Sequence, residues 1–128
     1  TWTLPQNWSE ITNPSPMRIA TIKAADAEMI ASRLNAKGWG NLIDNINRWR
    51  GQTGLPPIDE VSKQPSTTTG INGHTWTTYD ISGPQKRMIV SYVDNGESVW
   101  FFRLGGTSDA VEAQKTSLDS FLKSIQFQ

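Results

Sequence analysis

Four polar side chains in the stretch GWGNLIDNINRWRGQTGLPP, Asn41, Asn45, Arg48 and Gln52, recur at intervals of four, three and four. On a helix each residue advances about 100°, so this spacing stacks them into a stripe roughly 120° from the centre of an apolar side formed by Leu42, Ile46, Trp49 and Thr53. The chemistry they offer is recognition. Arg48 presents a planar donor fork suited to a carboxylate or carbonyl, and Gln52 adds an amide. Trp39, between Gly38 and Gly40 just ahead of the stripe, is a large ring that either anchors a partner or closes the edge of the core. Two readings stand side by side: the stripe satisfies itself and the neighbouring loops, or it faces a binding partner.

Bond-making chemistry is poorly supplied. His74 is the sole histidine, so a hydrolase-type site would rest on it together with scattered carboxylates such as Asp59, Glu60 or Asp80, which lack close metal-ligand spacing. The sequence contains no GxSxG, HExxH, P-loop or dinucleotide fingerprint. Cysteine is absent, which excludes disulfides and thiolate chemistry and leaves the redox compartment open. No catalytic residue, metal or cofactor is expected. Twelve Lys and Arg balance twelve Asp and Glu, so the footprint of a nucleic-acid partner is missing as well.

The elements that position the stripe can be read in outline. With 128 residues, 36% hydrophobic and 19% charged, the chain fits a single domain, 1–128, with a core of its own. No apolar run approaches the roughly 20 residues of a bilayer-crossing helix, so a soluble domain without a transmembrane segment is expected. A short β-prone start at 2–4 leads to a loop holding Trp8. Alternation predicts a strand over MRIATIKA and a hairpin partner over AEMIASRL, after a turn at Ala24, Ala25 and Asp26. A helix over 41–53 follows, with Gly54 past its end and Pro56 and Pro57 forbidding continuation.

Residues 58–63 suggest a short helix and 64–70 a polar loop. INGHTWTTYDIS reads as a strand, and RMIVSYVD and ESVWFFRLGG flank Asn95-Gly96, a strong hairpin signal. Trp100 lies in a run that predicts a strand covered on both faces. A C-terminal helix capped by Thr107 or Ser108 carries Val111, Leu118, Phe121, Leu122 and Ile125 on one stripe. The sum is an α+β domain, a central antiparallel sheet of about 5 or 6 strands flanked by helices.

Taken in order, LPQNWSEI, MRIATIKA, NLIDNINRWRGQTGLPP, VWFFRLGG and FLKSIQF resemble a family of bacterial exported or lipid-anchored domains of uncharacterised function. The most specific part is N-x-x-R-W-R-x-Q, carried by Asn45, Arg48, Trp49, Arg50 and Gln52. The resemblance implies a PsbP-like α/β/α sandwich, shared with nuclear-import Ran-binding proteins, whose members are binding and accessory proteins. It implies a periplasmic or lipid-anchored location, with any export signal or lipid-attachment cysteine expected upstream of Thr1. The expectation is therefore a non-catalytic extracytoplasmic module contacting a protein partner in the cell envelope through the 41–53 helix and adjacent loops. The alternatives are a small hydrolase built on His74 and a carboxylate, or a purely structural envelope domain.

Overall fold

Alternation along each strand sends side chains to opposite sides of a sheet, and in the computed structural model both sides are buried under helices. The structure describes residues 2–11, 18–35, 42–84 and 86–126. Its strands are β1 (Trp8–Ile11), β2 (Arg18–Ala24), β3 (Ala27–Asn35), β4 (Thr67–Ile71), β5 (His74–Ser82), β6 (Arg87–Asp94) and β7 (Ser98–Gly106). All neighbours pair antiparallel, in the order β1-β2-β3-β7-β6-β5-β4. Two meanders, β1-β2-β3 and β4-β5-β6-β7, thus join where β3 pairs with β7. The helices are α1 (Leu42–Thr53), α2 (Ser108–Glu112) and α3 (Lys115–Ser124), with a 3-10 turn at Val61–Lys63.

One face of the sheet packs against α2 and α3. Small residues of β2 and β3, Ala20, Ala24, Ala27 and Ala31, make room there for Trp8, Trp76, Phe102 and Phe121, all buried. Phe121 meets the rings of Trp2, Trp8 and Phe102 with centroids 5.5 to 5.7 Å apart, in the tilted and edge-on arrangements that aromatic quadrupoles favour. The Trp8 indole N–H donates to Gln114 Oε1 at 2.7 Å. The backbone N–H of Thr3 donates to Ser124 Oγ at 2.9 Å, which ties the two ends of the fold together. The opposite face packs against α1, which lies over β5 and β6 with Ile46 and Trp49 against Tyr79, Ile81, Val90 and Phe101.

The ends of α1 illustrate how local sequence fixes a boundary. Gly54 adopts φ 91°, its N–H reaching Gly51 O at 3.2 Å, while the Leu55 N–H reaches Arg50 O at 2.8 Å. This is the Schellman pattern, which a glycine just past the helix permits. Gly83, in the β5–β6 connection, approaches the same helix end so closely that a Cβ there would lie 2.1 Å from Thr53 O.

Among the described residues the sheet has seven strands, against the five or six expected. The strand at the start of the chain is Trp8–Ile11, with residues 2–4 outside any strand, and β4 occupies residues expected as polar loop. Both additions are edge strands, β1 burying only Trp8 and β4 exposing Thr67 to Gly70, so neither shows the apolar alternation of a strand buried on one side. The expected short helix at 58–63 reduces to the 3-10 turn. The C-terminal helix is broken between Glu112 and Lys115, where Gln114 accepts the Trp8 indole bond. Thr107 caps α2, its hydroxyl accepting from the Ala110 N–H at 3.2 Å. Trp100 is half-buried: it packs on the α3 side, stacked on Phe102, and the Arg33 guanidinium lies 5.5 Å from its ring centre.

Candidate functional site

The apolar side of α1 is as its spacing predicts, with Ile46, Trp49 and Thr53 buried and Leu42 half-buried. The polar stripe divides into unlike parts. Asn45 is only 6% exposed and its Oδ1 accepts from Arg48 Nη2 at 2.7 Å, so a buried amide orients an exposed guanidinium one turn further on. Gln52 is exposed. Asn41 and Trp39 lie outside the described residues.

Bracing of the following loop falls to two residues between the stripe positions. Asn47 exchanges a pair of hydrogen bonds with Ile58, Nδ2 to the carbonyl at 2.9 Å and Oδ1 from the backbone N–H at 2.8 Å. Arg50 donates through Nε to Pro56 O at 2.9 Å and through Nη1 to Gln64 Oε1 at 2.6 Å. These four bonds fold residues 55–64 back along the helix. The sequence signal for them is indirect: Gly54 and the two prolines force the chain to turn there, and the returning carbonyls then need donors.

Gln52 opens onto a concavity of about 540 Å³ at one end of the sheet, lined also by Asp26, Glu28, Lys86 and Arg103. Register explains the gathering. Glu28 stands opposite Lys23 on β2 and Gly105 on β7, which makes Arg103 its diagonal neighbour on the α1 side. Lys86 comes from the short β5–β6 connection and Asp26 from the β2–β3 turn. The lining is of mixed charge and open to solvent. It offers donors and acceptors from five parts of the chain, a surface for polar recognition rather than an enclosed reaction chamber.

Beneath one wall of this concavity the Arg87 guanidinium is held by Asp80, with Nε at 2.8 Å from one carboxylate oxygen and Nη2 at 2.6 Å from the other, and by Glu112 of α2. The hydrogen bonds from Arg87 hold the Asp80 carboxyl below the usual carboxylate range, and those to Asp80 push the guanidinium further up. This cluster fastens α2 to the sheet. On the α1 side, burial pushes the Tyr79 hydroxyl up, with Tyr92 adding to the effect.

The residues of the hydrolase alternative are dispersed. His74 starts β5 in a hollow lined by Ile71, Asn72, Trp76, Ile125 and Gln126. Asp80 is engaged by Arg87, and Asp59 pairs with Lys63 at 2.6 Å. Among the described residues no three His, Asp or Glu side chains converge as metal ligands, and no helix is long and apolar enough to cross a membrane.

No family model matches the chain, and no match is found among curated proteins. Solved structures do share the arrangement. Cyanobacterial PsbP (CyanoP) from Synechocystis sp. PCC 6803 is 13% identical, with a TM-score of 0.58, over 97% of this chain and 84% of that one. A protein of unknown function from Pseudomonas aeruginosa, PA94, is 14% identical, with a TM-score of 0.52, over 95% of this chain and 82% of its own. The fold is PsbP-like.

Proposed function

We propose that this domain is a non-catalytic accessory module that binds a protein partner across the outer side of α1 and the adjoining concavity, with Arg48 and Gln52 as principal contacts. The observation that carries the reading is the Asn45–Arg48 bond. An exposed arginine normally loses side-chain entropy when it engages a partner, and anchoring by a buried amide reduces that cost in advance. Gln52 lies one further turn along the helix and leads into the concavity, where Glu28, Lys86 and Arg103 supply charges of both signs. Such a mixed surface suits a polar protein face better than a uniformly charged polymer. An extracytoplasmic setting, periplasmic or lipid-anchored, is part of the proposal and is supported by the resemblance of the ordered motifs to exported domains.

Affinity capture from the native host with wild type and an Arg48→Ala/Gln52→Ala double variant tests it. The double variant should lose a protein that the wild type retains, while unfolding free energy stays within about 0.5 kcal/mol, as for ordinary surface substitutions. Identical captures by both, or a large stability loss in the variant, would return these residues to the scaffold.

A further inference from the structure

The two edges of the sheet are differently protected. β1 carries Glu10, whereas β4 runs Thr67, Thr68, Thr69, Gly70, Ile71 without a charge, a proline or a bulge. Those three devices are what ordinarily stop an edge from accepting another strand.

Register fixes which main-chain groups of β4 face outward. Asn72 and Gly73 both have positive φ, 52° and 83°, and close a two-residue turn between Ile71 and His74. In such a hairpin the residues flanking the turn form a hydrogen-bonded pair and the pairs alternate from there. Ile71, Thr69 and Thr67 therefore direct their N–H and C=O to β5, and Thr68 and Gly70 direct theirs away from it.

Side-chain space accompanies these groups. Thr69 and Ile71 share the α3 side with Trp76, and with Leu122, Asp119 and Lys123 they line a groove of about 160 Å³ between β4 and α3. Asn72 holds one end of it in place, its Nδ2 lying 3.4 Å from both the Lys123 and Ile125 carbonyls. Asp119 and Lys123, four residues apart on α3, present opposite charges, so the wall favours no net charge.

We infer that the groove between β4 and α3 binds an extended, uncharged peptide segment of β-branched residues, added to β4 as an eighth strand. Its main chain meets the outward groups of Thr68 and Gly70, and alternate side chains lie against Thr69, Ile71 and α3. A second copy of the chain is a poorer occupant. Pairing two five-residue edges covers far less than the roughly 800 Å² per partner of a stable dimer, and it leaves the groove to be filled.

The test is an NMR titration of the labelled protein with the blocked peptide acetyl-Gly-Thr-Val-Thr-Val-Thr-Gly-amide. Shift changes should concentrate in β4 and the facing side of α3, and exchange of the Thr68 and Gly70 amide protons should slow about tenfold or more near saturation. Gly70→Pro removes one outward donor without breaking a bond to β5 and should weaken binding about tenfold. Gly70→Ala, whose methyl enters open space, should stay within about twofold of wild type. Thr68→Pro, which deletes the other outward donor, serves if Gly70→Pro does not fold. Unchanged affinity in the proline variant, equal weakening in the alanine variant, or no shifts at millimolar peptide overturns the inference. Shifts of Thr68 and Gly70 that depend on protein concentration without peptide make the occupant a second copy, and overturn it equally.

Discussion

The two sides of the sheet use the same residue types to different ends, and two tryptophans show how. On the α3 side Trp8 is buried with its indole N–H bonded to Gln114. On the α1 side Trp49 is buried more deeply, and its N–H has no partner among the described residues. Thr21, on the same side of β2, is likewise buried with an unpartnered hydroxyl. The α3 side is packed from β1 across to β5, whereas α1 covers β5 and β6 and leaves Ile11, on the same face at the far edge, 48% exposed. An unpaired buried donor costs about 1–3 kcal/mol, and with Ile11 left open as well the α1 side is the less completely covered of the two. It is also where the oriented Arg48 and the charged concavity lie, which is where departures from a well-satisfied interior are expected if binding is selected.

Truncation on the well-packed side tests the contrast most severely. Phe121→Ala removes the ring shared by Trp2, Trp8 and Phe102 and should cost about 3–5 kcal/mol by denaturant unfolding. Gly83→Ala probes the α1 side, where the new methyl collides with backbone rather than a flexible side chain. A loss of about 1–3 kcal/mol is expected, and a smaller one would show that the end of α1 yields more easily than its packing suggests. Thr21→Val keeps the shape and deletes the unpartnered hydroxyl, so it should raise stability by about 1 kcal/mol; a decrease would mean the hydroxyl is satisfied after all.

The smallest effect concerns the Arg87 cluster. Because hydrogen bonds from Arg87 depress the Asp80 pKa, the stabilisation is present above the ordinary carboxylate value of about 4 and is lost as pH falls through the depressed native value. Asp80→Asn should therefore cost up to about 1 kcal/mol at neutral pH, since the carboxylate is partly exposed. The difference from wild type should shrink as the pH is lowered below about 4, and a gap that persists there would rule out the ion pair as its source.

How much of this could be read beforehand depended on whether a residue's role was local. The helix α1 was readable because its apolar spacing, Gly54 and the prolines all act within a few residues of one another. The β6–β7 hairpin was readable for the same reason. β4 was not, because Thr67 to Gly70 are all exposed and a strand that presents no apolar side to a core leaves no period in the sequence. The stripe on α1 was visible as a set, but Asn45 is buried by tertiary packing that helical spacing alone does not specify. The bracing roles of Asn47 and of Arg50, which the sequence marks only as a motif position, are not legible because their partners, Ile58, Pro56 and Gln64, come within reach only once the chain has doubled back. The concavity draws on strands that meet only when β3 pairs with β7 across a long stretch of chain.

The bond between Thr3 and Ser124 brings the beginning and end of the fold to one place on its surface. A fold entered and left at a single point can be carried as an insertion inside another chain without disturbing its host. By the same geometry it can be recut: a short linker across the two ends, with new ends opened at Gly96 in the β6–β7 turn, would preserve every strand pairing while β7, α2 and α3 are synthesised ahead of β1 instead of last.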